Sequence, residues 1–251
     1  MASAPPRLIF ITGTDTGVGK TLLTALLLSH LRQAGIRALA IKPFCSGGTQ
    51  DVEILESIQD GDLNRDEISP FYFPEPLAPL ISARKHKRSI SLSQVVRHIR
   101  GVQKRCEILL IEGSGGLLVP LGEGYSVGDL ISKLACDVLV VARNQLGTIN
   151  HTLMTLNVLN MLILSHLEHG SGGRLNRLAW RSRPTGTRLK VVLMSPKNAD
   201  LSSTSNRAVL TELLAPIPVL SIPFLGKEPT NPAILKNNSK KIEKTLARIL
   251  S

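Results

Sequence analysis

The chain is poor in aromatic residues. Five Phe, two Tyr and one Trp make up 3% of its 251 residues. A binder that stacks single-stranded bases on aromatic rings needs more rings than this. The core must therefore be built from Leu, Ile, Val and Ala, a composition that suits buried parallel strands. Cysteine is scarce as well: Cys45, Cys106 and Cys136 are far apart and form no CxxC, which excludes a disulfide framework and fits reduced thiols in a cytoplasmic protein. The long apolar run of a membrane span is missing. The Leu-rich stretch 153–167 is interrupted by Asn157, Asn160 and Ser165 and reads as buried helix. The first seven residues have no basic segment followed by an apolar one, so no signal peptide is expected.

Acid is the other shortage. Thirty Lys and Arg face nineteen Asp and Glu, a formal charge of +11. Such an excess fits nucleic acid, an anionic surface or an anionic small ligand. Its distribution narrows the choice. Over 166–190, Arg174, Arg177, Arg181, Arg183, Arg188 and Lys190 stand against Glu168 alone. Much of the excess is thus local, and a basic surface insertion is expected at about 166–187. The 43% hydrophobic and 20% charged content is that of a globular protein and excludes a disordered chain. No Pro- or Gly-rich linker splits the sequence, so one domain over 1–251 is expected.

Short apolar runs alternate with helical segments. Strands are expected over 8–12, 37–42, 106–112, 137–142, 189–194 and 218–222. Helices are expected over 21–34, 91–103, 129–135, 146–164, 206–214 and 233–250, with Gly35 stopping the first. Strands of near-continuous Ile, Leu and Val between helices mean βαβ units. The expected fold is α/β, with a mostly parallel central sheet flanked by helices on both faces.

The sharpest motif is Thr12-Gly-Thr-Asp-Thr-Gly-Val-Gly-Lys-Thr21. It follows an expected strand and opens an expected helix, as a P-loop NTPase-type fold requires. Successive N–H groups in such a loop point at phosphate oxygens, and glycines let the backbone come close. Lys20 puts a charge at the β- and γ-phosphates and Thr21 a hydroxyl at Mg2+. The strict pattern has four residues between its first Gly and Gly-Lys-Thr, whereas five follow Gly13 here. The alternative is a Gly-rich turn that merely opens a helix.

Two further residues share the carboxyl edge of the sheet, where ligands of open parallel sheets gather. Glu112 closes Ile108-Leu-Leu-Ile111 and stands where a P-loop enzyme needs an acid near Mg2+. Gly113-Ser-Gly-Gly116 after it reads as a turn that lets backbone approach a ligand. Lys42 ends the second strand and is available to steady a developing anion. Their alternatives are a surface Glu and a solvent-exposed strand-end Lys.

Together these pieces resemble the dethiobiotin synthetase family. The likeness is carried by Gly13-Thr-Asp-Thr-Gly-Val-Gly-Lys-Thr21, Lys42-Pro-Phe-Cys-Ser-Gly47, Glu75-Pro-Leu-Ala-Pro79, Glu112-Gly-Ser-Gly-Gly-Leu-Leu-Val-Pro-Leu121 and Leu146-Gly-Thr-Ile-Asn-His151, in that order. The resemblance implies an ATP- and Mg2+-dependent ligase of biotin biosynthesis that closes a cyclic urea on 7,8-diaminononanoate with CO2 or bicarbonate. It implies that Gly17, Val18, Gly19, Lys20, Thr21 and Leu22 hold the phosphates, with Gly113, Ser114 and Gly115 also at the nucleotide. Thr21, Asp51 and Glu112 resemble the metal set; Asp51 could otherwise be a helix N-cap. Lys42 corresponds to the family's catalytic lysine, with Lys20 and Thr16 beside it. Ser46 matches a substrate contact. Gly147, Thr148, Ile149 and Asn150 resemble the stretch that binds the substrate's carboxylate tail from a partner subunit, which implies a homodimer with sites at the interface. Pro223, Phe224 and Leu225 resemble the segment lying against the adenine. Two places depart from the pattern: Gly17 stands where the family often has an acid, and the usual Asn-Asp after the fifth strand is replaced by Val192-Leu-Met-Ser-Pro-Lys-Asn198.

Two other classes share this kind of loop. Cobyrinate diamide synthases normally carry a glutamine-hydrolysing domain, for which the chain is too short. The ATP-driven dimerisation switches that partition DNA carry a lysine five places before the P-loop lysine, where Asp15 stands here. Nucleic acid is accordingly not an expected partner, nor is a membrane.

Overall fold

The structure is a computed structural model that describes residues 6–167 and 188–251. The basic stretch expected over 166–187 therefore lies, from residue 168 on, outside the described residues. In chain order the first elements are β1 (Arg7–Gly13), α1 (Lys20–Gln33), β2 (Ala38–Ile41), β3 (Phe44–Ser46), α2 (Gln50–Ile58), α3 (Arg65–Ile68), β4 (Phe71–Phe73), α4 (Pro79–Lys85) and α5 (Leu92–Gln103). There follow β5 (Ile108–Gly116), β6 (Pro120–Gly122), β7 (Tyr125–Ser126), α6 (Val127–Leu134), β8 (Asp137–Arg143) and α7 (Thr148–Leu167). From residue 188 on come β9 (Leu189–Met194), α8 (Asn206–Leu214), β10 (Val219–Ile222), α9 (Pro232–Lys241) and α10 (Glu243–Leu250).

Six strands form one parallel sheet in the order β10-β9-β8-β1-β5-β2. Their Ile, Leu and Val side chains are buried on both faces, as near-continuous apolar runs require. The chain goes from β1 outward past β5 to β2, then returns through β5 toward β10. Right-handed crossovers in opposite directions place their helices on opposite faces. Accordingly α1 lies with α9 and α10 in one layer, while α5, α6, α7 and α8 pack in sequence in the other. The reversal at β1 opens a crevice at its carboxyl end, the ligand position of such sheets. The apolar α1, buried through Leu23, Leu26, Leu27 and Leu28, is clamped between the sheet and the outer helices.

The six expected strands all form. Three helix and loop readings need correction. Gly113-Ser-Gly-Gly116 is not a turn but the end of β5, and Gly116 pairs with Gly13. A Cβ on Gly113 would lie 2.8 Å from the Phe10 ring, so the missing side chain lets β5 stay against β1. The helix expected from residue 146 begins at Thr148, because Gly147 sits at φ +91°, outside helical geometry. The single closing helix over 233–250 is two. Helix propensity is weak through Asn237-Asn238-Ser239, and the chain turns at the buried Ile242, whose carbonyl accepts from Thr245 and Leu246 N–H at 2.9 and 3.1 Å.

Leu110, fully buried at the centre of β5 between Ile9 and Ala40, tests the sheet core. Leu110→Ala is expected to destabilise the fold by about 2–5 kcal/mol, read as a lower midpoint in urea unfolding.

Candidate active site

The phosphate loop leaves β1 at the switch point. Gly17 and Gly19 sit at φ +71° and +103°, a region that residues with a Cβ rarely enter. Gly19 is also the N-cap of α1 and brings no capping side chain, whereas α5 and α6 open on capping boxes from Ser91 and Ser126. The first N–H groups of α1 are thus left for an anion. Lys20 Nζ donates to the Asp15 carbonyl at 2.9 Å, folding the ammonium back over the loop. Burial pushes Lys20 down to about 8; Glu112 opposes this and the Lys42 charge adds to it.

Beneath the loop lies a cluster of charges. Ile41 and Ile111 are paired neighbours in β2 and β5, so the next residue of each strand, Lys42 and Glu112, meet. Lys42 Nζ donates to Glu112 Oε1 and to Asp51 Oδ2, both at 2.6 Å. Thr21 Oγ1 donates to the same Glu112 oxygen at 2.8 Å. The Glu112 side chain is 0% exposed and that of Lys42 9%, which rules out the surface readings of both. Burial disfavours the Lys42 ammonium, but Glu112 and Asp51 outweigh it and hold its pKa above the ordinary lysine range. Burial likewise works against the Asp51 carboxylate, and Lys42 reverses it, keeping Asp51 below the usual range. Asp51 is not an N-cap: Thr49 has that position, and Asp51 lies in the first turn of α2.

Above the cluster opens a cleft of about 360 Å³ whose lining includes Thr16, Lys42, Ser46, Asp51, Ser114 and Gly115. Its far wall is Pro76, Leu77, Ala78 and Pro79. The parallel pair β3–β4 brings that wall across, with Gly47 N–H bonded to the Phe73 carbonyl at 3.1 Å. The Ser46 hydroxyl is buried there without a hydrogen-bond partner. Ser114 Oγ is spent on the Phe44 carbonyl at 2.8 Å, so its side chain fixes β3 against β5.

A family model described as an AAA domain (AAA_26) matches residues 7–168. The ATP-dependent dethiobiotin synthetase BioD of Anaeromyxobacter sp. (strain Fw109-5) is 44% identical over 157 residues, 61% of this chain and 70% of that protein. The protein of the same name from Bacillus licheniformis is 42% identical over 151 residues, 58% of this chain and 64% of that protein. The chain belongs to the dethiobiotin synthetase family. It spans about two thirds of the length of the curated relatives it matches. The fold is that of P-loop ATPases more widely. The MinC:MinD cell division protein complex of Aquifex aeolicus superposes with TM-score 0.55 at 14% identity, over 97% of this chain and 96% of that one.

The remaining residues singled out by the family resemblance are not all brought to the cleft. Val18 is buried beneath the loop, and Leu22 packs against the core. Gly147, Thr148, Ile149 and Asn150 stand at the start of α7 and are not part of the cleft lining within one chain. Near that helix is a second, more apolar cavity of about 410 Å³, walled by Thr14, Asp15, Leu117, Leu118, Met154 and Val158 among others. Pro223, Phe224 and Leu225 follow β10, three strand positions from β1, about 14 Å at the usual strand spacing. Sequence reasoning passed over Met194, whose side chain lies against Gly19 so that a Cβ there would be 3.0 Å from Cγ. It also left the Pro76–Pro79 wall without a role, although Glu75-Pro-Leu-Ala-Pro79 was among the motifs that carry the likeness.

Among the described residues no group of three or more His, Cys, Asp and Glu could hold a metal. Mg2+ needs less protein than that: one or two carboxylates, with phosphate and water completing an oxygen shell. Asp51, Glu112 and the Thr21 hydroxyl are hard oxygen donors of this kind. Glu112 Oε2 is buried with no hydrogen-bond partner, a costly state for a carboxylate oxygen unless a ligand meets it. These residues fit Mg2+. Glu112→Gln keeps the shape and removes the charge. It is expected to raise the magnesium concentration for half-maximal nucleotide turnover by at least about tenfold, the loss that follows even from disturbing a ligand's support. An unchanged magnesium titration would remove Glu112 from the set.

Proposed function

We propose that this chain is an ATP-dependent dethiobiotin synthetase, a ligase that forms dethiobiotin, ADP and phosphate from 7,8-diaminononanoate, CO2 and ATP. The observation that carries this reading is Lys42, a buried ammonium held between Asp51 and Glu112 on the floor of a cleft that the phosphate loop overhangs. A fixed positive charge there can stabilise an anion formed from the substrate without reorganising.

One amine of the substrate adds to CO2 and loses a proton, giving a carbamate. A carbamate carbon is a poor electrophile, because negative charge on its oxygens shields it. The carbamate oxygen therefore attacks the γ-phosphorus of ATP, ADP leaves, and a carbamic–phosphoric anhydride results. The second amine attacks that carbonyl carbon and phosphate leaves. Loss of the amine proton completes the ring. Little covalent chemistry falls to the protein, which positions reactants and neutralises charge. Lys42 faces the carbamate, with Thr16 and Ser46 as further contacts. Gly17, Val18, Gly19, Lys20, Thr21 and Leu22 hold the phosphates, with Gly113, Ser114 and Gly115 alongside and Pro223, Phe224 and Leu225 against the adenine. Thr21, Asp51 and Glu112 would hold Mg2+, which offsets phosphate charge when bound.

The same reading makes the protein a cytoplasmic homodimer of one domain per chain. Leu118 and Leu146 are 66% and 80% exposed, and Met154 and Met161 on α7 are also exposed. Leu118 and Met154 line the second cavity, and this exposed apolar surface suits burial against another copy. Gly147, Thr148, Ile149 and Asn150 of one copy then bind the carboxylate tail in the other copy's cleft. No described helix is long and apolar enough to cross a membrane.

The deciding experiment is phosphate release from ATP with diaminononanoate and bicarbonate. Release that ignores the diamine would overturn the ligase. Lys20→Ala and Lys42→Ala are each expected to lower kcat by about a hundredfold or more, the usual cost of deleting one preorganised charge-stabilising group. Near-wild-type turnover of Lys42→Ala at saturating substrate would end its anion-stabilising role.

A further inference from the structure

Arg143, the last residue of β8, has no part in the chemistry above. Its Nη2 donates to the Gly17 carbonyl at 2.6 Å. The same nitrogen lies 3.5 Å from where a Cβ of Gly17 would be. That distance is an ordinary van der Waals contact, so it is the left-handed φ of +71°, not the guanidinium, that asks for glycine here.

The consequence follows from peptide geometry. In a planar trans peptide the C=O and the following N–H point in opposite directions. A guanidinium that fixes the Gly17 carbonyl on one side thus aims the Val18 N–H to the other. Arginine suits the task because it is always charged and its donors are rigidly planar, and a charge-assisted hydrogen bond is stronger than a neutral one.

The arginine is itself held in place. Arg143 is paired with Met194 across β8 and β9. Asn144 N–H donates to the Met194 carbonyl at 2.9 Å. The buried Asn206 amide donates to the Asn144 side-chain oxygen at 3.0 Å and to the Gln145 carbonyl at 3.2 Å. Leu146 N–H donates to Asp200 Oδ2 at 2.8 Å. The backbone that carries Arg143 is thus tied to β9 and to the segment after it.

We propose that Arg143 is a positioning residue of the phosphate loop: it holds the Gly17 carbonyl so that the Val18 N–H faces the triphosphate before nucleotide arrives. This rests on the reading of the loop as a nucleotide site and deepens it. A loop already ordered loses less freedom on binding. Its removal therefore acts on nucleotide affinity and leaves the diamine's interactions alone.

The test is calorimetric titration of MgATP into the whole protein as wild type, R143K, R143Q and R143A, with K20A as a control for loss of binding. R143Q and R143A are expected to bind ATP about tenfold more weakly, the size of one charge-assisted hydrogen bond. R143K, which keeps a charged donor, is expected to fall between them and wild type. Their Tm should stay near that of wild type, because the Arg143 side chain is exposed. In turnover, KM for ATP should rise while KM for the diamine does not. R143Q and R143A binding ATP as tightly as wild type would overturn the proposal, as would equal rises in both KM values. A wild type that binds no ATP would overturn the nucleotide reading itself, which is a different result.

Discussion

A buried carboxylate is among the least comfortable groups a fold can contain. Leaving one without a counter-charge costs several kcal/mol, by order of magnitude. Glu112 is such a group, and Lys42 is the charge that answers it. The pair exists only because β2 and β5 are neighbours in register, Ile41 beside Ile111. Asp51, on a helix that follows β2, then closes on the same ammonium. Three segments are tied at one nitrogen, and that nitrogen is the floor of the cleft. A sheet slipped by one residue would turn Lys42 to the other face and leave Glu112 uncompensated.

The rest of the site is arranged around this tie. The phosphate loop overhangs it because β1 lies next to β5 and the chain reverses direction there. Thr21, the second residue of α1, reaches down to Glu112 from above. One carboxylate therefore receives a hydroxyl from the loop and an ammonium from the sheet, while its second oxygen meets no protein donor. Loop, carboxylates and cleft floor are one connected object.

Much of this was legible in the residues. All six central strands could be read from near-continuous Ile, Leu and Val, because a strand buried on both faces has no alternation to obscure it. The phosphate loop, Lys42 and Glu112 could be placed at one edge, because in a parallel sheet every strand ends on the same side. The secondary structure between β2 and α5 was not legible. Its strands β3 and β4 are three residues each, too short to show a period, yet they carry Ser46 and swing the Pro76–Pro79 wall across the cleft. The break at Ile242 escaped because no Pro or Gly marks it; it shows only in the backbone of Ile242, which is buried between α9 and α10.

By itself the sequence determined the class of fold, the turn that can cradle phosphates and the residue types available for charge stabilisation. Each of these follows from local composition and order along the chain. Tertiary structure alone decided that Lys42 joins Asp51, Thr21 and Glu112 in one buried cluster, that Arg143 reaches the Gly17 carbonyl, and that Gly147–Asn150 do not line the cleft of their own chain. Those facts depend on which strands are neighbours and in what register. Hydrogen bonding between segments far apart in sequence sets both, and no local pattern of residues records it.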